Sequence, residues 1–149
     1  MTAAVGLFLQ LHLPPPWKPP RQAAPSPLVI YGACSPVGAY AIQLTRRSNI
    51  HPLICVAGRS QSFVESLIER SKGDVAFEYR KGNLIEAIIK ALPTGVPLLH
   101  VFEAISAEGP DADLQRVLAP RGTMALIQPA SDKEYLRLRQ DVFLVRINV

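Results

Sequence analysis

Along residues 28–149, short unbroken apolar runs alternate with segments whose apolar positions recur at helical spacing. The runs predict strands at Leu28–Tyr31, Pro52–Ala57, Val75–Tyr79, Leu98–Phe102, Thr123–Ile127 and Val142–Val149. The periodic segments predict helices at Val37–Ser48, Gln61–Arg70, Leu84–Leu92 and Ala112–Leu118. Strands alternating with short helices describe βαβ units and a parallel sheet. Runs that are apolar at nearly every position suit strands covered on both faces. The expected fold is therefore α/β: an open, doubly wound parallel sheet of about six strands in the order 3-2-1-4-5-6, with helices on both faces.

The first 27 residues break this rhythm. Residues 2–13 read as a helix that is apolar nearly all round, which calls for burial on more than one side. Residues 14–27 hold seven of the fourteen prolines and predict a stiff, extended connector. The expected organisation is a crossing helix with a proline-rich connector over 1–27, then one α/β domain over 28–149.

Composition narrows the classes. The chain has 149 residues, 48% of them hydrophobic, enough to bury a single domain core. Its net charge of +4 is spread out, without the dense basic stripe of a nucleic-acid reader. The apolar N-terminus lacks a basic flank and a small-residue cleavage site, and it is too short to span a bilayer. Neither nucleic acid nor membrane is expected as a partner. Cys34 and Cys55 stand apart with no Cys or His cluster nearby, as in a reduced, cytoplasmic protein without zinc-ligand spacing. No metal site is expected, and the isolated His12, His51 and His100 read as packing residues.

The chemistry concentrates at "LVIYGACSPVGAYAIQL", residues 28–44. Gly32 permits a sharp strand exit, Ser35 is a favourable N-cap, and Pro36 fits the first helical position. Gly38, next to Val37, lets the helix lie close to the strand. A helix N-terminus offers N–H groups and partial positive charge, so an anion is the natural occupant. The spacing G-x-x-S-x-x-G is one residue longer than G-x-G-x-x-G, and the turn alone leaves open a glycine-rich bend that binds nothing. The end of the second strand adds to the picture. An NAD-binding fold places an acid there for the ribose hydroxyls, whereas this chain reads Ala57-Gly58-Arg59-Ser60. A guanidinium and a hydroxyl suit a 2′-phosphate, which points to NADPH. The competing interpretation is a solvated Arg59 and a Ser60 that only caps the next helix.

These residues, with "GDVAFEYRKGN" and "RVLAPRGTMALI" downstream, resemble the cofactor-binding domain of medium-chain dehydrogenases/reductases. The nearest branch is the zinc-independent fungal quinone-reductase-like and trans-acting enoyl-reductase group of secondary metabolism. The resemblance covers nearly the whole chain, including the N-terminal helix. It implies that the loop from Gly32 to Gly38, including Ser35, Pro36 and Val37, covers the pyrophosphate. Arg59 and Ser60 would meet the 2′-phosphate and Tyr79 the adenine ribose. Ala104 and Ile105 would line the nicotinamide ribose, with Ile127 and Gln128 flanking the carboxamide. Read from residues alone, Tyr79 is a strand-end aromatic with a wet hydroxyl.

The family also carries a second, GroES-like catalytic domain, and this sequence is expected to lack it, so no catalytic residue is assigned. The expected activity is NADPH-dependent reduction of an activated C=C in an enone or a carrier-bound enoyl thioester, with autonomous turnover in doubt. The alternatives are a non-enzymatic nucleotide-binding or interaction remnant, and an S-adenosylmethionine methyltransferase. The last wants an acid at the end of the second strand, where Gly58-Arg59 stands. The apolar Val142–Val149 strand, at a sheet edge in the expected order, suggests homodimer pairing.

Overall fold

Apolar, β-branched runs form the core strands of the computed structural model, which describes residues 1–21, 24–80, 82–105, 111–127 and 139–147. Strands β1 (Leu28–Tyr31), β2 (Leu53–Ala57), β3 (Val75–Glu78), β4 (His100–Glu103), β5 (Thr123–Leu126) and β6 (Phe143–Arg146) make one sheet. Its order is β3-β2-β1-β4-β5-β6, and every pairing is parallel. This is the sheet expected from the sequence. β1 and β2 are buried at every position, whereas β6 at the edge is exposed at Phe143 and Arg146.

Period-two alternation divides the core between the two faces. Leu28, Ile30, Leu53, Cys55, Phe102 and Ala125 pack on one face with Ala41 and Ile42 of α2 (Pro36–Arg47) and Val64 of α3 (Gln61–Glu65). Val29, Tyr31, Ile54, Val56, Val101 and Met124 pack on the other with Ile88 of α4 (Leu84–Ala91) and Leu114 of α5 (Asp111–Val117). Doubly covered strands are the physical reason these runs are apolar throughout.

The N-terminal segment starts as α1 (Thr2–Ala4) and widens into π-type turns over Val5–Gln10. It is shorter than the helix expected over 2–13, because His12 takes a positive φ of 54°. Leu7, Leu11 and Leu13 join the core of the α2 face, while Leu9 remains exposed and Phe8 meets the exposed Trp17 edge-on. Only part of this apolar helix is buried within the described residues.

α3 is a second correction. A single helix over Gln61–Arg70 is expected, but α3 stops at Glu65 and a separate 3-10 turn spans Arg70–Lys72. Ser66 Oγ donates to the Phe63 carbonyl at 2.6 Å, and Asp74 Oδ2 accepts the Glu69 N–H at 2.9 Å. Side-chain groups have displaced helical backbone bonds.

β4 starts two residues later than expected. The Leu98 carbonyl accepts instead from Ala119 N–H at 2.8 Å, at the end of α5. Residues 148–149 of the expected last strand lie outside the described residues.

Candidate nucleotide site

The loops after β1 and β4 meet at the point where strand order reverses, and the ends of β2 and β3 form a second cluster on the same side of the sheet. The first leaves β1. Gly32 has φ +74°, and both its N–H and that of Ala33 donate to the Val56 carbonyl of β2 at 3.0 Å. A side chain at Gly32 is excluded twice, by that left-handed backbone and by Ile105, whose Cδ1 lies 2.8 Å from where a Cβ would stand. Gly38 is excluded by closeness alone. A Cβ there would overlap the Gly32 carbonyl oxygen and come within 2.8 Å of Ala33 Cα.

Ser35 is the N-cap of α2, with its Oγ accepting from Gly38 N–H at 3.0 Å, and Pro36 opens the helix. The same hydroxyl donates to the Ala104 carbonyl at 3.3 Å, tying this turn to the loop after β4. First-turn N–H groups have no partner one turn back. Ser35 serves that of Gly38 and Pro36 carries none, which leaves the half-buried Val37 its N–H for a ligand. Gly32, Ser35, Pro36, Val37, Gly38, Ala104 and Ile105 are thus brought together by the Ser35–Ala104 bond and by Ile105 lying over Gly32.

The second cluster ends β2 and β3. Arg59 and Ser60 are both exposed, and Ser60, although it precedes α3, makes no side-chain cap bond. The capping role considered for Ser60 is absent. No acid occupies the end of β2, where Ala57 leads into Gly58-Arg59. Tyr79 continues the ladder beyond β3, its N–H donating to the Ala57 carbonyl at 3.1 Å. Its ring stands over Gly58, where a Cβ would lie 3.5 Å from Tyr79 Cε1, and tilts against Tyr31 with centroids 6.3 Å apart. Arg80 lies over the ring and was missed in the sequence analysis. The available signal was positional: Ala57 pairs with Glu78, so Arg59 and Arg80 stand two residues beyond opposed positions on adjacent strands.

Ile127 is half-buried just beyond β5, packs against the core of the α2 face, and follows the Glu103–Leu126 pairing just as Ala104 does on β4; Gln128 lies outside the described residues. His51 Nδ1 lies 2.8 Å from the acceptor Asp74 Oδ1 at the amino ends of the strands, His12 is exposed, and burial, helped by His12, holds His100 below the usual histidine range. Cys34 and Cys55 are unpaired, and burial pushes the Cys55 thiol far up, so it is inert. Among the described residues no three His, Cys, Asp or Glu side chains gather as metal ligands, and no helix is long and apolar enough to cross a membrane.

Over 133 residues the chain is 47% identical to a trans-enoyl reductase of Gibberella fujikuroi, a match covering 87% of this chain and 39% of that protein. The chain resembles the medium-chain reductases in sequence as well as in fold. An uncharacterised protein of Saccharomyces cerevisiae is 31% identical over 90 residues, or 60% of this chain and 23% of that one. Among solved structures, CurK enoyl reductase aligns with a TM-score of 0.71 at 22% identity, over 99% of this chain and 41% of that chain. The Escherichia coli quinone oxidoreductase complexed with NADPH aligns at 0.66 and 14% identity, over 99% and 44%. Low identity makes these structures evidence for the fold. The chain spans about two fifths of the length of the trans-enoyl reductase and of these structures. No protein-family model matches it.

Proposed function

We propose that residues 28–149 are the dinucleotide-binding (Rossmann) domain of an NADPH-dependent reductase, and that residues 1–27 lead into it. The observation that carries this reading is the polar set at the carboxyl ends of β1 to β3: a tight glycine turn with a capped helix start, beside exposed Arg59, Ser60 and Tyr79. The residues fit a dinucleotide. Gly38, where a Cβ would run into the backbone of Gly32 and Ala33, lets α2 begin close against the β1 exit, and the missing acid after β2 leaves a cation and a hydroxyl for a 2′-phosphate.

In this reading Gly32, Ser35, Pro36, Val37 and Gly38 hold the pyrophosphate, through backbone N–H groups and the α2 N-terminus. Arg59 and Ser60 take the 2′-phosphate and Tyr79 lies along the adenine ribose. Ala104, Ile105, Ile127 and Gln128 border the nicotinamide end. Bound NADPH would supply hydride, and the protein's part is to orient it and shield it from water. By its likeness to the trans-enoyl reductase, the substrate class is an activated C=C in an enone or a carrier-bound enoyl thioester, within fungal secondary metabolism. The setting is cytoplasmic, consistent with two free thiols.

Calorimetric titration with NADPH, NADH and S-adenosylmethionine tests the assignment. NADPH is expected to bind most tightly. Preference for S-adenosylmethionine, or binding of none of the three, would overturn it.

A further inference from the structure

Arg80 is an exposed cation that the turn after β1 and the end of β2 leave unexplained. Its Nε donates to Tyr79 Oη at 2.9 Å, and its Cζ lies 5.2 Å from the centroid of the same ring. Tyr31 backs that ring and Gly58 leaves room beneath it. Because the phenol oxygen accepts from a guanidinium, its own O–H is left to donate outward, and the adjacent cation strengthens that donor. With Nε occupied, the terminal nitrogens of Arg80 still present the planar pair of N–H groups that a phosphate accepts together. Some arginines are spent internally: Arg70 is held by Glu65 and Arg139 by Asp141. Among the described residues no carboxylate engages Arg80.

We propose that Arg80, seated on the Tyr79 ring, is a specificity-determining residue for a terminal phosphate monoester. Tyr79 and Arg80 then supply one arm of a phosphate clamp and Arg59, two residues beyond the opposed position on β2, supplies the other. This rests on the nucleotide-binding reading. It assigns Arg80 a dianion as its ligand rather than the face of an adenine ring, and the two roles differ in what they discriminate.

Calorimetry on the full chain with 2′,5′-ADP and with ADP separates them, for wild type, Arg80→Ala, Arg80→Lys and Tyr79→Phe. Thermal melts by circular dichroism establish that each variant is folded. Arg80→Ala is expected to weaken 2′,5′-ADP about tenfold while ADP changes by less than about twofold, because only the former carries the discriminating phosphate. Arg80→Lys should recover part of the loss, and Tyr79→Phe should also lower affinity for 2′,5′-ADP alone. Equal weakening of both ligands by Arg80→Ala, or no weakening of either, overturns the proposal. If the wild-type chain binds ADP and 2′,5′-ADP equally, nucleotide binding stands and the role of Arg80 falls. If it binds neither, the nucleotide reading fails and this proposal fails with it.

Discussion

The two ends of the sheet use their polar groups in opposite ways. At the amino end, Asp74 is buried and accepts from Leu53 N–H at 2.8 Å and Glu69 N–H at 2.9 Å, with His51 Nδ1 also 2.8 Å away. Glu69 in turn pairs with Arg46 at 3.0 Å and with Lys72 at 3.4 Å, and the Arg46 hydrogen bond holds its carboxyl below the usual carboxylate range. A cavity of about 380 Å³ opens there, walled mainly by Pro25, Pro52, Ala91 and Pro93. The polar groups on its rim, His51 and Lys72, already face Asp74, Glu69 and Asn49. At the carboxyl end, Arg59 and Ser60 are exposed, and Arg80 keeps its terminal nitrogens. Polar groups joined to one another hold a fold together. At the carboxyl end the Tyr79–Arg80 bond leaves exposed donor groups on Arg59, Ser60 and Arg80, a surplus of the kind a ligand can take up.

Breaking the amino end should cost the most. Asp74→Ala strips three groups of a buried acceptor and is expected to lower the unfolding free energy by about 4 kcal/mol, read from denaturant melts. A change of less than about 1 kcal/mol would mean that the buried carboxylate is not the anchor it resembles.

At the carboxyl end, Gly38→Val is expected to weaken NADPH at least about a hundredfold, since α2 can no longer lie against the β1 exit. Normal binding by a folded Gly38→Val protein would make the turn purely structural. Arg59→Glu should weaken NADPH by roughly 2 kcal/mol and spare NADH, as for a lost charge-assisted contact. Equal affinity for both cofactors, unmoved by the substitution, removes Arg59 from the site.

How much of this was legible in the sequence depended on the range of the interactions. The β1–turn–α2 unit was readable because Gly32, Ser35, Pro36 and Gly38 each have a steric or capping reason within the turn itself, even though Ile105 adds a second at Gly32. A parallel sheet covered on both faces was readable from the unbroken apolar runs, whereas its strand order was that of the dinucleotide-binding fold and not of the runs themselves. The early end of α3 was not, because it depends on Asp74 accepting the Glu69 N–H after the chain has folded back. Nor was Arg80, which on its own looks like any solvated strand-end cation. Its meaning comes from Tyr79, and from Arg59 on the neighbouring strand.

The smallest expected effect concerns the edge of the sheet. We propose that β6, with Phe143 58% exposed, pairs with a second copy of the chain. Val145→Lys should shift sedimentation toward monomer at micromolar concentration, whereas a wild type that is already a concentration-independent monomer ends that proposal.

The contrast between the two ends can be read in one experiment, by following backbone amide chemical shifts on addition of NADPH. Shifts are expected at Gly32 to Gly38, omitting Pro36, and at Arg59, Ser60, Tyr79 and Arg80, with the amides of His51, Leu53 and Asp74 unmoved. Perturbation centred on His51 and Asp74, or no perturbation at the β1–α2 turn, would contradict a nucleotide site at the carboxyl end.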